Sequence, residues 1–350
     1  MAYRVTRRAG IRPAACLVQF SLVQFSLIHF CLIHFCLAVG IALLPSAVLA
    51  QAYPAKLIRI IIPLAPGAPP DVALRIVAQK MTESIGQPVL VENRSGAAGT
   101  IGGLAAARAA PDGYTLFLGS ITSVAIGPNI MPSAKFDPVN MLTPISLLSA
   151  APLVMVVPTQ LGVNSLSELI DLARAKPGAY NLGSPAVGSM PHIAGEMFKT
   201  AAGVDLLHVG FGNPSLVNIA MYNNLAHFNL ETMGSLGPSL RSGKLRALAV
   251  AHLTRLPEIP NVPTVAEVGF GGLEMASWAG LFAPRGTPPE IIQRLNAEVH
   301  KAVALPDVRE TLARQGAEAK ASTPEELAKL LASDLDRWGK AIIAAGVKAD

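Results

Sequence analysis

Residues 57 to 71 combine a buried strand with a turn of a kind that binds anions. Leu57 to Ile62 is an apolar, β-branched run, which is typical of a strand buried on both faces. Pro63 ends the run, and residues 66 to 70 predict a turn that neither strand nor helix enters. From Asp71 the apolar spacing is helical. A helix N-terminus directs unpaired N–H groups and its positive dipole end to this turn, so we expect a small carboxylate to bind at Ala65, Pro66, Gly67 and Ala68.

A second loop of the same kind follows later in the chain. Residues 181 to 189 are predicted as an irregular loop that leads into a helix starting near Pro191. Ligands of open α/β sheets bind beyond the carboxyl ends of strands. Two such domains that face each other place both loops on opposite walls of one cleft, where backbone amides clamp the anion. The second loop thereby contributes Gly183, Ser184, Gly188 and Ser189 as candidates.

The elements that position these loops alternate between strands and helices, which predicts α/β units with parallel sheets. Three capping boxes are predicted at Ser165–Glu168, Thr287–Glu290 and Thr323–Glu326. Helices are predicted from Asp71, over 101–110, over 165–175, from Pro191 to Ala201, and after the last two boxes. Strands are predicted over 57–62, 89–92, 114–118, 153–157, 206–209, 226–230 and 245–250.

Length and composition limit the classes of protein to which this chain can belong. A chain of 350 residues with 51% hydrophobic content can form two domains. The net charge of +5 is concentrated at the start, because residues 1–52 hold four arginines and no acidic residue. The remainder carries 24 basic against 23 acidic side chains, so we expect no nucleic-acid partner.

Residues 1–52 have the pattern of a signal peptide. The arginines precede an apolar run from about residue 14 to Leu49, and small residues there predict cleavage after Ala50 or Ala52. An uncleaved anchor is the alternative, because the run exceeds the usual ~7–15 residues. A tandem five-residue repeat over residues 17–36 accounts for the excess length. We therefore expect a periplasmic protein, and Cys16, Cys31 and Cys36 all lie in this segment, which leaves no disulfide in the mature chain.

Motifs of catalysis and of cofactor binding are missing from the sequence. It contains no Gly-x-Ser-x-Gly elbow, no His-Glu-x-x-His and no Walker-type motif. Residues 96–103 lack the spacing of a dinucleotide site and fit a flexible turn better. The histidines of the mature chain show no metal-ligand spacing. We therefore expect no catalytic residue, no cofactor and no metal.

The chain resembles the periplasmic solute-binding proteins of the tripartite tricarboxylate transporter family, known as the Bug family. The resemblance extends from Tyr53 to Gly346. It is carried by Tyr53-Pro54, Pro63, Pro66-Gly67, Asp71, Gly86 to Val89, Val91 to Arg94, Ala109 to Leu116, Phe136 to Val139, His192, Gly195-Glu196, Phe198-Lys199, Gly243 to Val250, Pro263 to Glu267, Ser277-Trp278, Gly280-Leu281 and Arg294 to Asn296.

The resemblance implies a two-lobed α/β fold, the Venus-flytrap type II periplasmic-binding-protein fold. It implies lobe one at 53–152 and 252–350, lobe two at 153–251, and hinge closure on a small carboxylate held by loop amides. The expected partners are membrane subunits of a tripartite tricarboxylate-type transporter, and the protein is expected to be a monomer. The alternative is a periplasmic sensor that presents its closed form to a membrane signalling partner. A third hypothesis, an enzyme on the same fold, has less support.

Several positions depart from the pattern of the family. Pro70 stands where Ser or Thr is usual, and Pro185 and Pro191 each remove an N–H donor from the second loop. Phe211 lies in Gly-Phe-Gly-Asn, where Pro-Tyr-Lys-Gly is common. Glu231 replaces the usual Asp. These changes make the pocket less polar or reshape it, and predict an uncommon ligand or weakened binding.

The remaining candidates each have a structural alternative. Ser120 and Ser123 follow a strand and could donate to a carboxylate, or serve as turn residues. His192 lies near the cleft by resemblance, or is a structural hydrogen-bonding residue. Glu231 could bind an ammonium group or face solvent. Trp278 could wall the cleft or belong to the core, and for Asp71 the helix-start role is favoured over ligand binding.

Overall fold

The protein is described by a computed structural model over residues 53–347. The predicted signal segment, with its cleavage positions and its cysteines, lies outside the described residues. Within those residues, no helix combines the length and the apolar character that crossing a bilayer requires.

Residues 53–347 form ten strands and eleven α-helices that alternate along the chain. The strands are β1 Ile58–Ile62, β2 Val89–Asn93, β3 Thr115–Ser120, β4 Leu142–Pro158, β5 Asn181–Ser184, β6 Leu207–Gly210, β7 Asn229–Thr232, β8 Leu245–Val250, β9 Ala276–Pro284 and β10 Glu318–Ala319. The helices are α1 Pro69–Ile85, α2 Thr100–Ala107, α3 Gly127–Ile130, α4 Pro138–Met141, α5 Leu166–Ala175, α6 Met190–Ala202, α7 Pro214–Tyr222, α8 Met233–Arg241, α9 Pro289–Ala304, α10 Pro306–Arg314 and α11 Pro324–Ala344.

The main sheet is mixed rather than parallel. Its order is β10-β4-β9-β3-β1-β2. β1 lies parallel to β2 and β3, whereas β9 runs antiparallel to both β3 and β4. The prediction of parallel sheets is therefore right for the opening β-α-β units and for the pair β5 and β6, and wrong for the pairs that involve β4 or β9.

Strand β4 joins two groups of strands. It pairs with β9 as far as Pro152, and from Leu153 it pairs with β7 and β8 on its two edges. The predicted strand, 153–157, is only the last part of it. Pro144 argues against a strand, but the register of β4 shifts between Pro144 and Ser146 and so accommodates the missing donor. The lobe limits at 152 and 153 stay a prediction.

The second predicted loop begins as a strand. Asn181 to Ser184 form β5, which pairs in parallel with β6, and Leu182 bridges to Phe228. The irregular segment is therefore shorter than predicted. The run Asn-Leu-Gly-Ser lacks β-branched residues, and its pairing partners supply the order that its own propensity does not.

Helix α1 begins two residues earlier than predicted. Ala68 has extended dihedral angles as the N-cap, and two prolines take the first helical positions. Proline is tolerated there because those positions need no intrahelical N–H bond. Gly86 ends the helix with a φ of 76°, which favours glycine. The prediction that the turn excludes the helix up to Pro70 is therefore wrong.

Of the three predicted capping boxes, one is confirmed, one is confirmed in part and one is wrong. The box of Thr323 and Glu326 is confirmed in both directions. Ser165 caps its helix, but Glu168 accepts a hydrogen bond from the Asn164 N–H instead. At Thr287 the prediction is wrong, because its hydroxyl donates to Pro284 O and the N-cap is the next residue.

The core confirms the prediction for β1. Ile58, Ile60 and Ile62 pack in one apolar cluster, and Ile61 packs in another on the opposite face. Only Arg59 reaches solvent, where it pairs with Glu92 at 3.2 Å. The strand is thus anchored on both faces, and its carboxyl end is held in place.

Candidate functional site

A cavity of about 680 Å³ lies where the carboxyl ends of β1 and β3 face the N-termini of α7 and α8. It is bounded by residues of both predicted lobes. Nine hydroxyl and amide residues line it, and the charged residues of its wall are Glu231 and Arg314. The hydroxyl and amide residues are Ser120, Thr122, Ser149, Asn213, Ser215, Thr232, Ser235, Ser277 and Gln315.

The first turns of four helices reach this cavity, that of α6 through Met190. Pro70 belongs to the start of α1, Pro214 and Ser215 to the start of α7, and Gly234 and Ser235 to the start of α8. The first N–H groups of a helix lack intrahelical partners and carry the positive end of its dipole. The start of α1 offers no free donor, because prolines hold its first two positions and the Asp71 N–H donates to Ala68 O at 2.8 Å. The other helix starts, among them those of α7 and α8, favour an anion within this space.

The first predicted loop lies beside the cavity rather than in its wall. Leu64 and Pro70 line the cavity, but the four predicted residues between Ala65 and Ala68 do not. The Gly67 N–H donates to Asp71 Oδ2 at 2.9 Å, and the Ala68 N–H donates to Ala65 O at 3.3 Å. The prediction of unpaired donors at these amides is therefore wrong.

Asp71 has the structural role that the sequence favoured. It is buried and accepts hydrogen bonds from the Gly67 N–H, from Arg75 at 3.0 Å and from Asn93 at 2.8 Å. Burial alone would raise the pKa of this carboxyl, but the hydrogen bonds outweigh burial and hold the pKa below its usual value. Asp71 thus fixes the turn to α1 and β2.

The two candidate serines after β3 have different places. Ser120 lines the cavity. Ser123 is buried, donates its hydroxyl proton to Ser120 O at 3.1 Å and accepts from the Ser120 N–H at 2.9 Å. Ser123 therefore holds the strand end in position, and only Ser120 faces a ligand space.

The second predicted loop has its amides occupied as well. The Gly183 N–H donates to Phe228 O at 2.9 Å, the Gly188 N–H to His192 Nδ1 at 3.0 Å, and the Ser189 N–H to Ala186 O at 3.1 Å. These amides were predicted to clamp a carboxylate, and ligand binding at these residues stays a prediction. From this region the cavity wall includes Met190, at the start of α6.

Two histidines pack behind the second loop. The rings of His192 and His208 stack with centroids 3.6 Å apart, and Ser184 Oγ lies 2.7 Å from His208 Nε2. Burial, with repulsion from Lys199, lowers the pKa of His192 to about 4, and burial also lowers the pKa of His208 to about 4. The Phe211 N–H donates to Ser184 O at 2.9 Å. These contacts occupy polar groups of His192, Ser184 and Phe211, and none of the three residues lines the cavity.

Two further candidates do line the cavity. Trp278 is 3% exposed, and its Nε1–H donates to Asp334 Oδ2 at 2.7 Å, so it is both a core residue and part of the wall. Glu231 is 8% exposed, and its Oε1 accepts from the Thr232 N–H at 2.8 Å. Burial raises the pKa of Glu231.

Sequence reasoning missed several wall residues. Arg314 and Gln315 come from the end of α10, far along the chain from both loops. Asn213 caps α7 by accepting from the Leu216 N–H at 3.0 Å. The Asn213-Pro214 pair is a helix-start signal that could have pointed to this wall, whereas no local signal marks Arg314. Among residues 53–347, no three His, Cys, Asp or Glu residues group as metal ligands.

Known proteins resemble this chain over nearly all of the described residues. The tripartite tricarboxylate transporter family receptor, TctC, matches residues 73–347. Protein BugT of Bordetella pertussis is 36% identical over 313 residues, which cover 89% of this chain and 95% of BugT. MatC from Rhodopseudomonas palustris, solved with bound malate, is 30% identical with a TM-score of 0.69 over 83% of this chain and 100% of MatC.

A second solved structure, R. palustris Rpa4515 with adipate, is 30% identical with a TM-score of 0.72, over 85% of this chain and 99% of that chain. These structures share the two-lobed α/β fold of periplasmic binding proteins, which confirms the predicted fold class. The family consists of solute receptors and not of enzymes. The chain therefore belongs to the TctC family of tripartite tricarboxylate transporter receptors, which includes the Bug proteins.

Proposed function

We propose that this protein is a periplasmic solute receptor that binds a small carboxylate in the cavity and delivers it to the membrane subunits of a tripartite tricarboxylate-type transporter. The observation that carries the proposal is the meeting of the N-termini of α7 and α8 at one cavity of about 680 Å³. A volume of this order suits a small organic acid.

Helix dipoles are the main source of positive potential in this cavity. Arg314 is the one cationic side chain among the described wall residues, and it is already paired with Glu310 at 2.8 Å. A helix N-terminus stabilises an anion by about 0.3–1 kcal/mol at an exposed site and by more where water is excluded. The ends of α7 and α8 therefore make a site that attracts one carboxylate without a dedicated cation.

The ligands of relatives support a carboxylate. MatC was solved with malate and Rpa4515 with adipate, and both molecules are carboxylic acids. The hydroxyl-rich wall of the cavity supplies donors of the kind that carboxylate oxygens accept. Its apolar residues, including Leu64, Met190 and Trp278, leave room for a hydrocarbon body between polar ends.

Lobe closure completes the proposed cycle. The lobes are residues 53–152 with 252–350, and residues 153–251, with β4 passing from one to the other. Closing a hinge between them would bury the ligand on both sides. The closed form is then the state that a membrane partner recognises.

Thermal shift of the purified protein against a library of carboxylates tests this function. A ligand at 100 times its Kd adds about 2.7 kcal/mol to the free energy of unfolding, which raises Tm measurably. Ser235→Trp fills the cavity and should abolish the shift. Ser333→Trp, on an exposed face of α11, is the matched control and should keep it. A folded protein that responds to no carboxylate would contradict the proposal.

A further inference from the structure

Helix α8 needs support from its surroundings to keep its first turn in place. It begins at the cavity, where Gly234 and Ser235 belong to the wall. Its nine residues include two glycines and, in the interior, Pro238, all of which disfavour a helix. Pro238 has no N–H to donate to Gly234 O, and in regular helix geometry its ring clashes with that carbonyl. Among the described residues, no side chain caps this turn. The helix is therefore weak at the end that reaches the ligand space.

Asn218 of α7 supplies this support. Its Nδ2 donates to Ser235 O at 3.1 Å, which ties the first turn of α8 to the middle of α7. One helical turn farther on in both helices, the hydroxyls of Tyr222 and Ser239 form a second hydrogen bond. Residues four apart share one face of a helix, so the two bonds follow one seam between α7 and α8. Of the two, only the bond of Asn218 reaches the turn that lines the cavity.

The amide of Asn218 is unfavourable for the fold itself. Its side chain is 7% exposed, and its Oδ1 has no hydrogen-bond partner among residues 53–347. Its neighbours on α7, Val217 and Met221, belong to an apolar cluster. A buried acceptor without a partner loses its hydration for nothing, and an apolar side chain of the same shape avoids that loss. Stability alone therefore does not explain an amide at this position.

We propose that Asn218 is a positioning residue for ligand binding, whose amide holds the N-terminus of α8 in the orientation that the ligand's carboxylate requires. This inference rests on the proposed function, in which the N-termini of α7 and α8 bind that carboxylate. Asn218 does not line the cavity and acts through Ser235, which does.

The way in which this cavity attracts an anion makes such positioning necessary. Because Asn218 belongs to α7 and its acceptor belongs to α8, one hydrogen bond sets the spacing of the two helix starts. A hydrogen bond from a backbone N–H to a carboxylate weakens steeply when its distance or angle changes. A long, flexible cationic side chain could follow a displaced ligand, but backbone donors move only with their helix.

Replacing the amide separates positioning from folding. Asn218→Leu keeps the number and branching of the side-chain atoms, and Asn218→Ala removes the amide without adding bulk. We expect the Tm of free Asn218→Leu to equal or exceed that of the wild type, because the unpaired oxygen is gone. In both variants the Kd should rise about 10-fold. Calorimetry measures the Kd with the carboxylate that gives the wild-type protein the largest thermal shift, and malate and adipate are tried first.

Asn223→Leu is the matched control. Asn223 is exposed after the last turn of α7, and its Nδ2 donates to Ile219 O at 3.0 Å within that helix. The same chemical change there should leave the Kd within about twofold of the wild-type value. A second measurement needs no ligand: amide hydrogen exchange over residues 233–237 of the free protein should be faster in both Asn218 variants than in the wild type or the control.

The outcomes distinguish this inference from the receptor function. An unchanged Kd in a folded Asn218 variant, or unchanged exchange over residues 233–237, would overturn the role of Asn218 and leave the receptor function standing. A Tm of Asn218→Leu as low as that of Asn218→Ala would show that the amide serves the fold, which also overturns the inference. A wild-type protein that binds no carboxylate would overturn both.

Discussion

Gly234, at the start of α8, touches the peptide that joins Gln315 to Gly316 after α10. A Cβ atom built on Gly234 would overlap the carbonyl oxygen of Gln315, and one built on Gly316 would overlap the backbone nitrogen of Gly234. Both segments contribute to the cavity wall. The two glycines thus let segments from the two predicted lobes meet at backbone distance beside the ligand space.

Gly234→Ala should weaken ligand binding more than it weakens the fold. The added methyl group cannot fit in this contact, and relieving such overlap costs about 1–3 kcal/mol. Under the proposed hinge motion an open form lacks the contact, so only the closed form bears this cost. The expected result is a Kd raised about 10-fold with Tm of the free protein nearly unchanged. Gly271→Ala is the control, because a Cβ there meets nothing within 4 Å. Equal affinity of the two variants would show that the contact does not limit closure.

The stacked histidines predict loss of stability in acid. Burial and Lys199 lower the pKa of His192 to about 4, against 6.5 for the unfolded chain, so the unfolded state binds the proton more readily. Stability is therefore full above about pH 6.5 and falls as pH drops toward about 4, by up to about 3 kcal/mol. Urea unfolding across this range measures the effect.

His192→Asn tests the assignment of that pH dependence. The amide oxygen can still accept from the Gly188 N–H, but the side chain does not titrate. The variant should lose stability less steeply between about pH 6.5 and about pH 4. A slope identical to that of the wild type would assign the acid sensitivity to other groups.

Trp278 and Trp338 form a natural comparison. Trp278→Phe removes the hydrogen bond to Asp334, and this buried carboxylate is then left with Arg337 at 2.9 Å as its partner. We expect the free energy of unfolding to fall by about 1–3 kcal/mol. Trp338 Nε1 has no hydrogen-bond partner among the described residues. Trp338→Phe makes the same volume change and should cost less. Urea unfolding midpoints compare the stability of the two variants. An equal loss of stability would mean that the change in side-chain volume, and not the hydrogen bond, sets the effect.

The capping box of α11 predicts a smaller, local effect. Thr323→Ala deletes the hydroxyl that accepts from the Glu326 N–H at 3.1 Å. This change should lower the free energy of unfolding by about 1 kcal/mol. Thr311→Ala is the control, since its hydroxyl bonds only within α10, donating to Asp307 O and accepting from Arg314, and caps no helix. Thermal unfolding of both variants measures the difference, and a Thr323→Ala variant as stable as the control would contradict the prediction.

Local patterns were enough to predict much of the fold. The isoleucines of β1 specify a strand buried on both faces because β-branched side chains pack well there, and the Thr323–Glu326 box specifies a helix start because both groups are near in sequence. The many ordered matches to the Bug family extended the prediction from single helices and strands to a two-lobed fold, and the relatives confirm that fold.

Local sequence patterns could not predict the pairing of strands that lie far apart in the chain. β4 runs through Pro144 and Pro152, and only its partners β9, β7 and β8 make it one strand. Asn181–Ser184 is a strand because β6 and Phe228 supply its hydrogen bonds. Propensity is a weak guide where tertiary contacts provide the partners.

By itself the sequence named Ser120, Glu231 and Trp278 as candidates, each with a structural alternative, and all three line the cavity. Only the tertiary structure decided that the amides of both loops are already bonded, to Asp71 and His192 among others, and that Arg314 and Asn213 complete the wall. The reason is physical: a donor's availability depends on which acceptor the folded chain brings within about 3 Å, and spacing along the sequence does not fix that distance.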